Sequence, residues 1–230
     1  MVNTFDRIVI AVPDLQAATF EYQQLLGAAV IPGVPHQPPY GRFILPNTAI
    51  ELVPSSSKKG LISGIVFGSD TSSGDDERVA NGRGLDLRLC NGVSTAEQRS
   101  RQSDIEAADL RVDHLVLRTA SADDCIELFG RKLGIRLALD QNVPEWGGRM
   151  LFFRAGKLTL EVIEAQHEQP AEDYFWGIAY HCADLEQTVA RLAARGVALS
   201  EIRAGRKQGS VVATVKSHCL GIPTLLIAPG

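Results

Sequence analysis

The sequence has no apolar run approaching the ~20 residues of a membrane-spanning helix. Its opening, "MVNTFDRIVIAVPD", lacks a basic segment leading into a long apolar one. We therefore expect neither a membrane partner nor a secretory leader, and a cytoplasmic protein. Cysteine is sparse. The four present (Cys90, Cys125, Cys182, Cys219) form no CxxC pair and no disulfide framework, so reduced, mostly buried thiols are expected. An excess of positive charge is also missing. With a net charge of -4 and no basic stripe interleaved with aromatics, nothing points to nucleic acid. The short "GRKQG" around Arg206 reads as a solvated turn. No disorder signature is found either, since 45% of residues are hydrophobic and 22% charged, ample for a core.

The sequence does contain a repeat, and repeats decide folds. "DRIVIAVPDLQAATFEYQQLLG" from Asp6 lies over "DHLVLRTASADDCIELFGRKLG" from Asp113 without a gap. Each copy is an alternating strand (Arg7 to Val12; His114 to Thr119) and a helix (about Leu15 to Leu25; about Ala122 to Leu133). Each helix is closed by a glycine, Gly27 or Gly134, of the kind that caps helices in the left-handed region. Each copy ends on an apolar strand, "TAIELVP" or "LTLEVIE", giving the order β-α-β-β-β. "GIAYHCADLEQTVARLAARGVAL" from Gly177 opens a weaker copy, and "GIVFGSDTSSGDDERVANGRG" from Gly64 opens a truncated one. The polar "NGVSTAEQRSRQSDIEAADL" reads as a linking helix or loop, about 91–110. Two module pairs follow, at 1–108 and 109–230.

These modules resemble the vicinal oxygen chelate superfamily, which includes glyoxalase I, extradiol dioxygenases and bleomycin-resistance proteins. The residues that carry the likeness are "IVIAVPDLQAA" at 8, "DHLVL" at 113, "TLEVIE" at 159 and "HCADLEQTVARLAARGV" at 181. The resemblance implies an α+β fold of tandem βαβββ modules, four with the second degenerate, pairing into curved mixed sheets that form a cup. It also implies a divalent metal (Zn, Fe, Mn or Ni) held by first-strand and last-strand residues and polarising two adjacent substrate oxygens.

Carried over position by position, His114 and Glu161 fall on the ligand sites of the third module, with Thr159 and Ile163 on the face of Glu161. The fourth module has Gly177 and Leu226, which offer no donor. His181, four residues beyond Gly177, would reach the cup from a displaced position, and His218 sits at a turn nearby. In the first module the same positions hold Arg7 and Glu51. An arginine stays protonated, so an ion pair is expected there instead of a metal. The second module offers Gly64 and no recognisable last strand, so the N-terminal pair is expected to be structural.

His114 alone would suit a core histidine, but the repeat frame and Glu161 favour a functional role. The candidates are His114 and Glu161 as metal ligands, Glu161 and His181 as catalytic groups, and Arg118, Arg149 and Trp146 as substrate contacts. Trp146 is expected to cover the opening, and Glu161 could alternatively pair with Arg118 or Arg149. Tyr180 and Ile178 are expected to face the helix layer, and His36 and His167 to be solvated. Two functions compete. One is a metal-dependent enzyme acting on a small substrate with adjacent oxygens, a lyase or isomerase before a ring-cleaving dioxygenase because the second first-strand histidine is missing. The other is a metal-free binding protein using the same cup. The resemblance allows a homodimer, although four modules can complete their cups within one chain.

Overall fold

In the computed structural model, residues 1–33, 39–70, 72, 76–91, 110–146, 148–167 and 169–230 are described, without the side chain of Trp146. The expected linking segment and His36 lie outside the described residues. The alternating stretch after Asp6 lies in β1 (Val2–Val12), and a short turn leads into α1 (Leu15–Leu26). Asp14 starts this helix by accepting from the backbone N–H of Ala17 at 3.0 Å, and Gly27 ends it at φ 66. Strands β2 (Val30–Pro32), β3 (Gly41–Ile44) and β4 (Ala49–Pro54) complete the first module.

The third module repeats this plan. β8 (Arg111–Thr119) leads through the cap Ser121 into α2, an α-helical turn Ala122–Cys125 that continues as a π-helical segment Ile126–Lys132. Gly134, at φ 70, closes it. β9 (Arg136–Val143), β10 (Gly148–Ala155) and β11 (Leu158–Ala165) follow. In the fourth module come β12 (Tyr174–His181), α3 (Leu185–Ala194), β13 (Arg203–Ala204), β14 (Ser210–Val215) and β15 (Thr224–Pro229). Asp184 caps α3 as Asp14 caps α1, at 2.9 Å from the backbone nitrogen of Gln187.

The second module departs from expectation. It keeps β5 (Leu61–Ser69), β6 (Glu77–Arg78) and β7 (Asp86–Cys90), with no helix among its described residues. "LDLRLC" is its last strand after all, because β7 pairs parallel with β5 as β4 does with β1. Its alternation of apolar and charged residues hid this role in the sequence.

Among the described residues the strands form two open mixed sheets, ordered β2-β3-β4-β1-β5-β7-β6 and β13-β14-β15-β12-β8-β11-β10-β9. Each is the α+β cup-forming sheet that the repeat implies. One core joins them. Ile8 and Ile10 of the first sheet, Leu115 and Leu117 of the second, and Tyr22, Phe129 and Leu192 of the helices belong to the same buried cluster. Tyr180 and Ile178 lie in it too, on the helix side as expected. Each large side chain fully buried here contributes about 1.5–3 kcal/mol.

A polar tie reinforces the union of the halves. Asp173, with its side chain 3% exposed, accepts from Arg83 Nε at 2.5 Å and from Thr119 Oγ1 at 2.8 Å, while Arg83 also reaches Asp124 at 2.6 Å. Asp173→Ala should lower unfolding free energy by about 2–3 kcal/mol in urea titrations. The loss stays below that of a wholly buried pair because Arg83, 25% exposed, regains water.

Candidate functional site

The side of the second sheet that faces away from the helices carries the candidate site, and two β-bulges shape it. Ala179 pairs with His114 and Tyr180 with Val112, so Asp113 is an extra residue in β8. Gly177 pairs with Val116 and Phe175 with Leu117, so Trp176 is an extra residue in β12. A bulge points consecutive side chains to the same side of a sheet. Asp113, His114 and Trp176 accordingly all stand on the wall of one cavity of about 820 Å³.

Asp113 Oδ2 lies 2.9 Å from His114 Nδ1. A carboxylate accepts, so Nδ1 carries the proton and Nε2 is the nitrogen whose protonation varies. Nε2 points to Glu161, with Oε2 at 3.6 Å. Glu161 reaches this spot through register. Thr159 pairs with His114 and Glu161 with Val116, which puts Thr159, Glu161 and Ile163 on the cavity side and Leu160 and Val162 in the core.

The electrostatics couple these groups. Burial favours a neutral His114 imidazole, but the Asp113 hydrogen bond and the Glu161 charge outweigh it, and the pKa is raised. Burial also raises Glu161, opposed by His114 and by Arg206. The hydrogen bond from His114 lowers Asp113 against its own burial, keeping it an anion. The result is a fixed carboxylate, an imidazole with one free nitrogen, and a second carboxylate made more basic by its surroundings.

Other expected site residues stand elsewhere. Arg149 faces away from the cup, since its neighbours Met150 and Phe152 line the cavity. Its guanidinium is engaged by Asp140 at 2.8 Å and Asp123 at 2.8 Å. The same alternation that serves Glu161 turns Arg149 outward, so it does not line the cavity and pairs with Asp140 and Asp123 instead of Glu161. Arg118 shares the strand face of His114 but lies beyond the cavity wall, half-buried opposite Ile163. His181 pairs with Arg111 at the end of β12 and is likewise off the wall; burial and Arg111 lower its pKa. His218 is held by Ser217 Oγ at 2.8 Å, in a turn away from the cavity. His167 is exposed, as expected. Trp146 ends a short 3-10 turn, Pro144–Trp146, and its side chain lies outside the described residues.

The fourth-module frame needs a correction of one residue. Leu226 is fully buried in the core, while Leu225 and Ile227 line the cavity. Leu225 pairs with Ala179 and is the true counterpart of Glu161. Gly177 holds its expected position, where a Cβ would meet the Pro223 carbonyl oxygen at 2.7 Å. Neither residue brings a donor.

The first sheet repeats the geometry with different chemistry. Asp6 is the bulge residue of β1, between the pairs Phe5–Phe67 and Arg7–Val66. It binds Arg7 at 2.7 Å, as Asp113 binds His114, and Arg7 Nε lies 3.4 Å from Glu51. The expected ion pair is thus present within a larger network, in which Arg7 also bonds Asp76 and Glu51 also accepts from Arg42. Arg88 of β7 stands where Leu225 stands in the second sheet, bonded to Asp86 at 2.8 Å.

Sequence reasoning missed four contributors. Asp113 was visible as the residue shared by both copies, yet its role needed the bulge. Arg206 and Lys207, in the solvated "GRKQG", prove to border the cavity. Asn47, at the turn before β4, donates to the Val112 carbonyl at 2.7 Å and accepts from the Val112 N–H at 3.1 Å. It pairs like a one-residue strand beside the Asp113 bulge. Asn47→Ala should cost about 1–2 kcal/mol and speed amide exchange at Val112, read by hydrogen-exchange mass spectrometry.

Residues 113–214 match the family described as the Glyoxalase/Bleomycin resistance protein/Dioxygenase superfamily. The C-terminal half thus carries a domain of this superfamily. The whole chain shares its fold with a mutant of 4-hydroxymandelate synthase from Streptomyces coelicolor. That likeness has a TM-score of 0.75 at 12% identity and covers 100% of this chain and 93% of the other. A xylose isomerase-like TIM barrel/4-hydroxyphenylpyruvate dioxygenase fusion protein is similar at TM-score 0.66 and 15% identity, over 100% of this chain and 49% of that one. Methylmalonyl-CoA epimerase from Mycobacterium tuberculosis aligns over 52% of this chain and 87% of its own, with 20% identity and TM-score 0.43. No curated protein matches the sequence significantly. Among the described residues, no helix is long and apolar enough to cross a membrane.

Proposed function

We propose that the second-sheet cup is the active site of a lyase- or isomerase-type enzyme that moves a proton on a small substrate with adjacent oxygens. One observation carries this reading: His114 Nε2 and Glu161 Oε2 face each other at 3.6 Å on a cavity wall while Asp113 fixes the other imidazole nitrogen. Glu161 is the base. Partial burial makes its carboxylate a better proton acceptor than an exposed one. His114, oriented by Asp113, donates from Nε2 to the oxygen on which charge develops, and the apolar wall limits competing water.

The donor set also tests the cofactor. Two donors about 2.1 Å from one cation at a tetrahedral angle stand about 3.4 Å apart, so the 3.6 Å separation suits joint chelation. Imidazole and carboxylate match Zn, Fe, Mn or Ni, and the Asp113 bond to Nδ1 is the outer support that metal-binding histidines use. The set is only half of one, since Gly177 and Leu225 add nothing and the described residues contain no cluster of three ligating side chains. His114 and Glu161 would hold the metal; its Lewis acidity would then replace the proton from His114 Nε2, and Glu161 would serve as base only on leaving the metal. When bound it would act as a Lewis acid on the adjacent substrate oxygens.

The vacant counterpart positions favour a second reading, a metal-free binding protein with the same cup. Elemental analysis of protein purified without chelator separates the two. Stoichiometric transition metal that is lost in His114→Ala supports the metal enzyme; its absence, with no metal-induced rise in melting temperature, sinks that reading.

A further inference from the structure

The row of the second sheet that carries His114 runs on past the cavity wall. Thr159 pairs with His114 on one side and with Arg154 on the other, and Arg154 pairs with Arg136 on the edge strand β9. The order across the sheet is therefore His114, Thr159, Arg154, Arg136. All four face the cup. Phe152 lines the cavity and Phe153 lies in the core, so alternation returns Arg154 to the cup side. On β9, Leu139 lines the cavity while Leu137 packs against the core, because the register shift opposite Phe152 and Phe153 makes Ala138 an extra residue. Arg136, next to Leu137, then turns to the cup as well.

Two exposed guanidiniums thus stand directly opposite each other on neighbouring strands. Among the described residues no ion pair joins either of them to a carboxylate. The acid of β9, Asp140, is bonded to Arg149 on the other face of the sheet. Glu161, one row along, faces His114. Like charges opposite each other destabilise a sheet, and an anion lying between them removes the repulsion. Two fixed positive charges match the two negative charges of a phosphate monoester, whose oxygens a planar guanidinium binds through paired N–H donors. Strands lie ~4.8 Å apart, which puts Arg154 about 10 Å and Arg136 about 14 Å from His114 along the row. Beside that path, Phe152 and Leu139 give the cup an apolar floor.

We propose that the cup takes an elongated phosphate monoester, with its reacting oxygens at His114 and Glu161 and its phosphate between Arg154 and Arg136. This names a substrate class for the proposed chemistry and rests on that reading for the reacting end alone.

Titration calorimetry on the full chain with benzyl phosphate, phenylacetate and benzyl alcohol tests it, since these are a dianion, a monoanion and a neutral molecule with one apolar body. Benzyl phosphate should bind about tenfold or more tightly than benzyl alcohol, with phenylacetate between them and the advantage shrinking as salt is raised. Arg136→Gln/Arg154→Gln should erase the advantage and leave benzyl alcohol unchanged. Arg136→Gln alone should raise the melting temperature of the ligand-free protein by about 1–3 °C at low salt, the opposite sign to a residue kept for stability. Equal affinities, no detectable binding of benzyl phosphate, an advantage that survives in the double variant, or a lowered melting temperature in Arg136→Gln would overturn the proposal. His114→Ala separates the two readings. It should lose metal or turnover yet keep the preference for phosphate, and a failure confined to the probes leaves the proposed chemistry standing.

Discussion

An Arg7→Met variant is expected to melt about 10 °C below the parent. Methionine keeps the volume and removes the charge. Asp6, 1% exposed, and Glu51, with its side chain 12% exposed, then lose the cation between them. Breaking a buried ion pair from one side costs about 3–5 kcal/mol, because the remaining charge has neither water nor partner. At about 2–4 °C per kcal/mol for a chain of this size, the shift follows. Glu51 keeps Arg42, which places the loss nearer the lower bound. Differential scanning calorimetry reads the outcome, with Arg7→Lys as control: a point charge restores part of the loss but cannot bond Asp6, Glu51 and Asp76 at once. A melting temperature unchanged in Arg7→Met would show that the network contributes nothing to stability.

The second large effect concerns the cup. His114→Ala should lower affinity for added Zn or Mn by a hundredfold or more, since one donor of a two-donor set disappears. Asp113→Asn should lower it about 10–100-fold, because the imidazole loses its orienting carboxylate while keeping its position. Competition with a chromogenic chelator measures both. Circular dichroism should stay unchanged, since His114 lies outside the core cluster. Equal affinities in all three proteins would place the metal elsewhere or nowhere. In turnover assays, once a substrate is known, the loss in His114→Ala should reach about 10²–10⁴-fold.

The contrast between Arg7 and His114 separates an ion-pair network from the proposed site within one fold. In each half an aspartate on a β-bulge holds the next residue by its side chain, and a glutamate on a neighbouring strand faces it. With arginine the space is filled by permanent opposite charges, which stabilises the first sheet. With histidine the corresponding group can lose its proton and expose a lone pair to a cavity. Residue chemistry alone makes the difference.

Much of this was legible without coordinates because it rests on local periodicity. Alternating strands, Asp-capped helices and glycine stops after α1 and α2 depend on residues a few positions apart, so the βαβββ repeat, the Arg7–Glu51 pair and the pairing of His114 with Glu161 could be read from Asp6 and Asp113 onward. Where strands meet distant strands, sequence reasoning slipped. Leu226 was placed in the cup although Leu225 belongs there, because a register error of one residue reverses every side chain. Arg149 failed for the same reason, and β7 went unrecognised because its parallel partner β5 defines it.

The sequence by itself determined the module order, the capped helices and the residue types at the two first-strand positions. Only the tertiary structure decided which residues bulge, which hairpin borders the cup, and that Asn47 supports Val112 from the other half. Bulges, register and loop placement arise from hydrogen bonds between segments far apart in the chain, and no local pattern encodes them.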